Sequence, residues 1–137
     1  MPKQSPIPDE LDKPFWAACN DGRLVVQNCN ACNRLQHPPQ PTCGQCDSAA
    51  NLGWREVSGR GTIYSYGVVF DTPVALLQTD QPYNVAVIEL EEDPGIQMLS
   101  QLPGVPVDQV PIGAAVRVLF EATPGNGQKV PEWELAS

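Results

Sequence analysis

Residues 29–46 read CNACNRLQHPPQPTCGQC and carry four of the chain's five cysteines as two Cys-x-x-Cys pairs. Cys29 with Cys32, and Cys43 with Cys46, each offer two sulfurs from one tight turn, and together they complete a tetrahedral four-thiolate site. Such a knuckle needs a residue that tolerates positive φ just after its second cysteine. Asn33 and Asp47 hold those two positions. Four thiolates leave no open coordination position, so the expected metal is structural. Zinc is favoured over iron, which in this ligand set would serve electron transfer, and no companion redox feature is visible. An odd cysteine count without an export signal also argues against a disulfide framework.

The knuckles organise their surroundings. Arg23 to Gln27 reads as a strand entering the first, Arg34 to His37 as a strand leaving it, and Pro38-Pro39-Gln40-Pro41 as a stiff extended connector to the second. The result is a zinc ribbon, expected over residues 23–50. A segment that short cannot bury an adequate core, and the metal compensates. Four thiolates and one Zn²⁺ carry a net charge of about −2. Arg23, Arg34 and Arg55 either neutralise that charge or serve a ligand.

Ahead of the ribbon, Asp12 is placed to cap a helix over Lys13–Asp21, Pro14 fits its first turn, and Asn20-Asp21-Gly22 ends it. Residues 1–10 form a flexible lead, so lead and helix make up residues 1–22. Cys19 follows Phe15 by four positions and shares its helix face, which marks a small buried hydrophobe rather than a reactive thiol. His37, the single histidine, is expected to pack beside the metal site, neither ligating it nor acting as a base.

After residue 50 the apolar period becomes two. Leu52–Val57 and Gly61–Phe70 form one strand interrupted at Ser58-Gly59-Arg60-Gly61. Tyr83–Leu90 places Tyr83, Val85 and Val87 on one face and Ala86, Ile88 and Leu90 on the other. Glu91–Gly95 is a turn whose carboxylates form a solvated tip, and Ile96–Leu102 returns as a hairpin. Ala114–Glu121 turns Val116, Val118 and Phe120 inward and Arg117 outward. Lys129–Leu135 makes a last strand, broken at Pro131. Five short antiparallel strands over residues 51–137 fit a small Greek-key barrel of the OB type, crossed by a long loop at Asp71–Pro82. The fold is therefore mostly β, with a short N-terminal helix, a zinc ribbon and an OB barrel.

Composition narrows the function. Fifteen prolines in 137 residues exclude a helix bundle. Eight basic and sixteen acidic side chains give a net charge of −8, carried entirely after residue 60, where two basic residues face ten acidic ones. An OB barrel that binds single strands stacks bases on aromatics over a cationic groove. Tyr64, Tyr66, Phe70 and Tyr83 supply aromatics and barrel core, but the cations are missing, which makes a single-stranded nucleic-acid binder only the alternative reading. No GxGxxG, Walker, HExxH or GxSxG motif occurs, and no supported Cys-His or Ser-His-Asp set, so this chain is not expected to catalyse alone. No stretch reads as a signal peptide or membrane span, which gives the expectation of a cytoplasmic protein without membrane association.

Several stretches recur together in one order: Phe15-Trp16 with Asp21-Gly22-Arg23-Leu24, the two knuckles, Pro38-Pro39, Trp54–Gly61 (WREVSGRG), Thr62–Val69, Pro82-Tyr83 with VAVIEL, and Ile112-Gly113 with VRVLFE. In them the chain resembles a thiolase-associated family, a domain of unknown function that joins an N-terminal helix, a rubredoxin-like zinc ribbon and an OB fold. The likeness runs from about residue 14 to 121; Gln40 stands where that family often has arginine, and His37 where it often has an aromatic residue. The resemblance implies a non-catalytic accessory subunit that binds acyl-CoA in or beside its barrel. A thiolase-superfamily protein would be its partner in a hetero-oligomer and would supply the catalytic groups. The reaction implied is carbon–carbon cleavage, thiolytic or retro-aldol, as of a steroid side-chain CoA thioester, or else acyl transfer. CoA phosphates need a local basic spot, for which Arg34, Arg55 and Arg60 are candidates, with Tyr66, Phe70 and Tyr83 along the barrel for the rest of the ligand.

Overall fold

Pro14 in the first turn and Gly22 after the last one bound helix α1, Lys13–Asn20, in a computed structural model that describes residues 4–136. Asp12 holds the N-cap position without capping through its side chain. The Asp9 carboxylate instead accepts the amides of Leu11 and Asp12 at 2.8 and 2.9 Å, while Asp12 Oδ1 accepts the Asp9 amide at 2.7 Å. Gly22, at φ +74°, lets the Gly22 and Arg23 amides turn back onto the carbonyls of Cys19 and Ala18 and closes the helix. Phe15, Ala18 and Cys19 form the buried face, as their spacing predicts.

Three strands build the ribbon sheet: β1 Val25–Cys29, β2 Leu35–Gln36 and β3 Leu52–Glu56, in the order β2-β1-β3 and all antiparallel. The position of β3 differs from the sequence reading, which joined it to the following strand. Alternation alone does not say which partner a strand takes, and Leu52–Glu56 takes β1, from Cys29↔Leu52 to Val25↔Glu56.

The barrel sheet holds β4 Arg60–Val69, β5 Tyr83–Leu90, β6 Gln97–Ser100, β7 Ala115–Ala122 and β8 Lys129–Leu135, in the order β6-β5-β4-β7-β8. Ala86, Ile88 and Leu90 of β5 face the core together with Asn84. Val116 of β7 is buried, Val118 and Phe120 pack against the core, and Arg117 points out. The bulge falls between Ile63 and Ser65 and turns Tyr64 outward, while the paired glycines mark the passage from ribbon to barrel. There Gly59 has φ +77°, and a side chain at Gly61 would run into the Glu89 carbonyl.

Four further expectations are corrected. Strand β8 is not broken at Pro131 but pairs continuously with β7 from Ala122↔Lys129 to Val116↔Leu135. The Asp71–Pro82 loop contains a 3₁₀ helix, Ala75–Asp80. The carboxylates after β5 are not merely solvated: Glu92 accepts the Ser58 amide at 2.5 Å, and Glu91 accepts from the Ser58 hydroxyl and from Arg60. The lead is anchored rather than loose, because Ser5 Oγ donates to Thr123 Oγ1 and accepts the Gly125 and Asn126 amides; residues 1–3 of that lead lie outside the described residues.

One core runs through both sheets, from Phe15, Leu24 and Val26 to Ile63, Ile88, Val116 and Trp133. Helix α1 is fixed to the barrel by Gln128, whose side chain donates to the Trp16 carbonyl at 2.9 Å, and by Asn20 Oδ1, which accepts the Lys129 amide. The β1–β3 ladder runs one bond further, from Val57 N–H to the Leu24 carbonyl, before the chain passes into the barrel. No helix among the described residues is long and apolar enough to cross a membrane.

Candidate metal centre and ligand groove

The two knuckles fold as their sequence requires. Asn33 and Asp47 take φ +62° and +59°, and their amides donate to the carbonyls of Cys29 and Cys43. The four sulfurs of Cys29, Cys32, Cys43 and Cys46 lie within 4.8 Å of one another. Two cross-knuckle pairs, Cys29–Cys46 and Cys32–Cys43, stand 3.6 Å apart. A tetrahedral ion with Zn–S bonds of about 2.3 Å has edges of about 3.8 Å. That spacing is far beyond a disulfide bond of about 2.05 Å. The cysteines are thus positioned to bind one metal ion, and the soft four-thiolate donor set fits zinc.

The thiols do not titrate alike. The Cys46 and then the Gln45 amides pull Cys43 down to about 6. The Cys32 amide holds Cys29 below its usual value. At Cys32 the Arg34 amide pulls down, but burial and the sulfurs of Cys43, Cys29 and Cys46 together push the thiol up to about 12. One thiolate on each knuckle is therefore favoured by backbone amides before a metal arrives.

Two buried glutamines hold the knuckles together. Gln27 and Gln36 face each other across β1 and β2, and Gln36 Nε2 donates to Gln27 Oε1 at 2.6 Å. Gln36 also accepts the Gly44 amide and donates to the Thr42 carbonyl, while Gln27 bonds both the amide and the carbonyl of Gln40. The proline connector is thereby fixed at Gln40 and again at Thr42, just past Pro41. Sequence reasoning missed this pair; the signal was two glutamines at inward strand positions beside Val25 and Leu35.

Beside the ribbon lies a polar cavity of about 510 Å³, where Arg34 and Arg55 meet Glu92, Asp93 and the first knuckle. Both arginines are exposed, and the Arg34 guanidinium also lies near Gly44 of the second knuckle. The other arginines are committed elsewhere: Arg23 pairs with Glu56 at 3.0 Å, and Arg60 with Glu91 at 3.2 Å. His37 lines this cavity and, on its other side, an apolar groove of about 480 Å³ walled by Phe15, Trp16, Pro38, Pro39, Leu99 and Pro131. The ring of His37 lies tilted against Phe15 with centroids 5.3 Å apart, and burial holds its pKa below the usual value. Cys19 is fully buried, and that burial pushes its thiol up to about 12, as expected of a packing residue.

The aromatics are dispersed. Tyr83 is buried, the Tyr66 hydroxyl donates to the Asp108 carbonyl at 2.9 Å, and Phe70 is exposed at the far end of β4. Of the six candidate ligand residues, the structure brings only Arg34 and Arg55 into one cavity. Among the described residues there is no row of aromatics over cations of the kind a single strand needs: Tyr64 and Phe70 are exposed singly, and Arg117 pairs with Glu134.

Known proteins share this architecture. The model of the ChsH2 rubredoxin-like zinc ribbon domain matches residues 16–52, and that of the ChsH2 C-terminal OB-fold domain matches residues 54–121. The solved structure described as an Ltp2-ChsH2(DUF35) aldolase superposes with a TM-score of 0.83 at 30% identity, over 97% of this chain and 100% of that one. A DUF35 domain-containing scaffold protein of Methanothermobacter thermautotrophicus is 31% identical over 77% of each chain. The 3-oxo-4,17-pregnadiene-20-carboxyl-CoA hydratase alpha subunit of Mycobacterium tuberculosis is 33% identical over 96% of this chain and 42% of its own length. The chain thus spans well under half the length of the curated hydratase subunits it matches.

Proposed function

Because this chain belongs to the DUF35 family, in the form that joins a rubredoxin-like zinc ribbon to an OB fold, we propose that it is a scaffold subunit that holds a CoA thioester against a catalytic partner. The observation that carries the reading is the pairing of two cavities at His37. On one side, Arg34 and Arg55 offer guanidinium groups suited to phosphate oxygens; on the other, the groove is apolar. A CoA thioester has this same polarity, anionic at the nucleotide end and apolar at the acyl end.

The relatives' names fit such a role, as an aldolase complex, a scaffold and the alpha subunit of a CoA-thioester hydratase. The partner we propose is a thiolase-fold enzyme, and the reaction carbon–carbon cleavage of the retro-aldol or thiolytic type, or acyl transfer. A steroid side-chain CoA thioester is the substrate the relatives favour. This chain contributes binding and positioning, while acid, base and nucleophile come from the partner.

Two measurements test this. The chain, co-expressed with a thiolase-fold protein of the same organism, should elute as one hetero-oligomer, and the partner's activity should depend on it. Calorimetric titration with CoA should show binding that falls at least tenfold in Arg34→Ala/Arg55→Ala, two ionic hydrogen-bonding groups being removed. Separate elution with a fully active lone partner, or CoA binding indifferent to both arginines, defeats the reading.

A further inference from the structure

The barrel does not close by a strand ladder. Strands β6 and β8 end the sheet on either side, and among the described residues no backbone hydrogen bond joins them. One short clasp spans the gap. Ser100 Oγ donates to Glu132 at 2.7 Å and accepts the Trp133 amide at 2.9 Å, and Glu132 accepts the Gln101 amide.

The clasp reveals which backbone groups face the seam. Since the Trp133 amide points across to β6, the backbone nitrogens of Pro131 and Lys129, two and four residues earlier, have the same direction. Lys129 N–H is taken by Asn20, and Pro131 has none to give. On β6, Ile96 C=O bonds inward to Leu90, and Gln101 N–H outward to Glu132, so Gln97 and Leu99 turn their amides and carbonyls toward the seam. Leu99 and Pro131 line the same groove. Pro131 offers no donor across it, and among the described residues the outward backbone N–H and C=O of Leu99 meet no backbone partner and face the apolar groove.

The groove holds another unsatisfied donor. Trp133 is fully buried, and its indole N–H finds no acceptor among the described residues. Beyond Leu99 and Val130 the groove continues into a second apolar cavity of about 340 Å³ reaching Leu77 and Val85.

We propose that this seam binds the pantetheine arm of the CoA thioester as a substitute for the missing ladder. One secondary amide of the arm pairs with the N–H and C=O of Leu99, and the acyl group runs on toward Leu77 and Val85. The assignment of the ligand as a CoA thioester rests on the function proposed above; the amide-binding edge is a separate observation. A peptide strand from another protein suits the seam less well, because the β8 edge has no free amide along Lys129–Trp133 and only Gln97 and Leu99 are open on β6.

Octanoyl-pantetheine, which carries no phosphate, isolates this edge from the arginine cavity. It should bind the chain in calorimetric titration. Leu99→Pro, which removes the outward amide but no bond to β5, should weaken it about tenfold, the worth of one hydrogen bond in a dry site, while Leu99→Ala costs less. Pro131→Ala, which supplies a backbone donor facing the seam and competing for its acceptors, should also weaken binding. Equal affinity in Leu99→Pro and Leu99→Ala overturns the proposal, as does unaltered affinity in Pro131→Ala. If CoA binds through the arginines while octanoyl-pantetheine neither binds nor competes, the seam assignment fails and the functional reading stands. If octanoyl-pantetheine binds as described but CoA affinity ignores Arg34 and Arg55, the seam stands and the arginine cavity falls.

Discussion

Gln36 donates its side-chain amide to Gln27 Oε1 over 2.6 Å, between two residues that are cross-strand partners and almost completely buried. The pair links both strands, the connector and the second knuckle. Gln36→Ala takes a partner from the Gly44 amide, the Thr42 carbonyl and Gln27 Oε1, which keeps only the Gln40 amide, and each lost hydrogen bond costs about 0.5–1.5 kcal/mol. Chemical denaturation should show that loss, and transfer of metal to a chromogenic chelator should be faster than in the wild type.

Removing a ligand is more drastic. Cys43→Ser takes one thiolate from the site and leaves a weak ligand, so the purified variant should hold far less than one zinc per chain. The N-terminal half should then lose its amide protection. Full zinc content with an intact ribbon contradicts the assignment.

His37 gives stability a pH dependence of known sign. Burial lowers its folded-state pKa below that of the unfolded chain. Above the unfolded value both states are neutral there and nothing changes. As pH falls through about 6.5, the unfolded state takes up a proton that the folded state refuses, so stability drops. Melting temperatures at pH 7.5 and 5.5 should differ more for the wild type than for His37→Phe; an equal difference in both excludes His37 as the source.

Gly61 faces the Glu89 carbonyl so closely that a methyl group would push β4 away from β5. Gly61→Ala should lose roughly 1–3 kcal/mol through overpacking. Gly67 lies on the same strand with open space around it, so Gly67→Ala should be neutral or slightly stabilising. Urea midpoints of the two variants make the comparison.

The clasp at the seam has its own signature. Ser100→Ala removes the acceptor of the Trp133 amide and the single hydroxyl proton that Glu132 and the Gln101 carbonyl share. The Trp133 amide should exchange with deuterium much faster, while the β4–β5 ladder keeps its protection.

The metal centre was legible in the sequence because two Cys-x-x-Cys pairs with Asn33 and Asp47 behind them are local chemistry, fixed by the turn itself. Strand positions were legible too, through alternation such as Ala86-Ile88-Leu90. Partnership was not. Nothing in Leu52–Glu56 distinguishes a ribbon strand from a barrel strand, because pairing depends on residues some 27 positions earlier. Pro131 was read as a break because a proline forbids a donor, and only the register shows that the lost donor lies on the unpaired side. The grouping of Arg34 with Arg55, and their separation from Arg60, likewise depends on how the ribbon folds over the β5–β6 turn.

Pro131 also bears on how the protein behaves in a crowded solution. A barrel with an unlatched seam carries two raw margins, and raw margins are where chains stick to copies of themselves and grow into fibres. Here one margin has a missing donor at its centre and a side chain of α1 over its start, so a neighbouring copy finds too little to grip. The same proline that interrupts the seam also denies a neighbouring copy a donor to pair with.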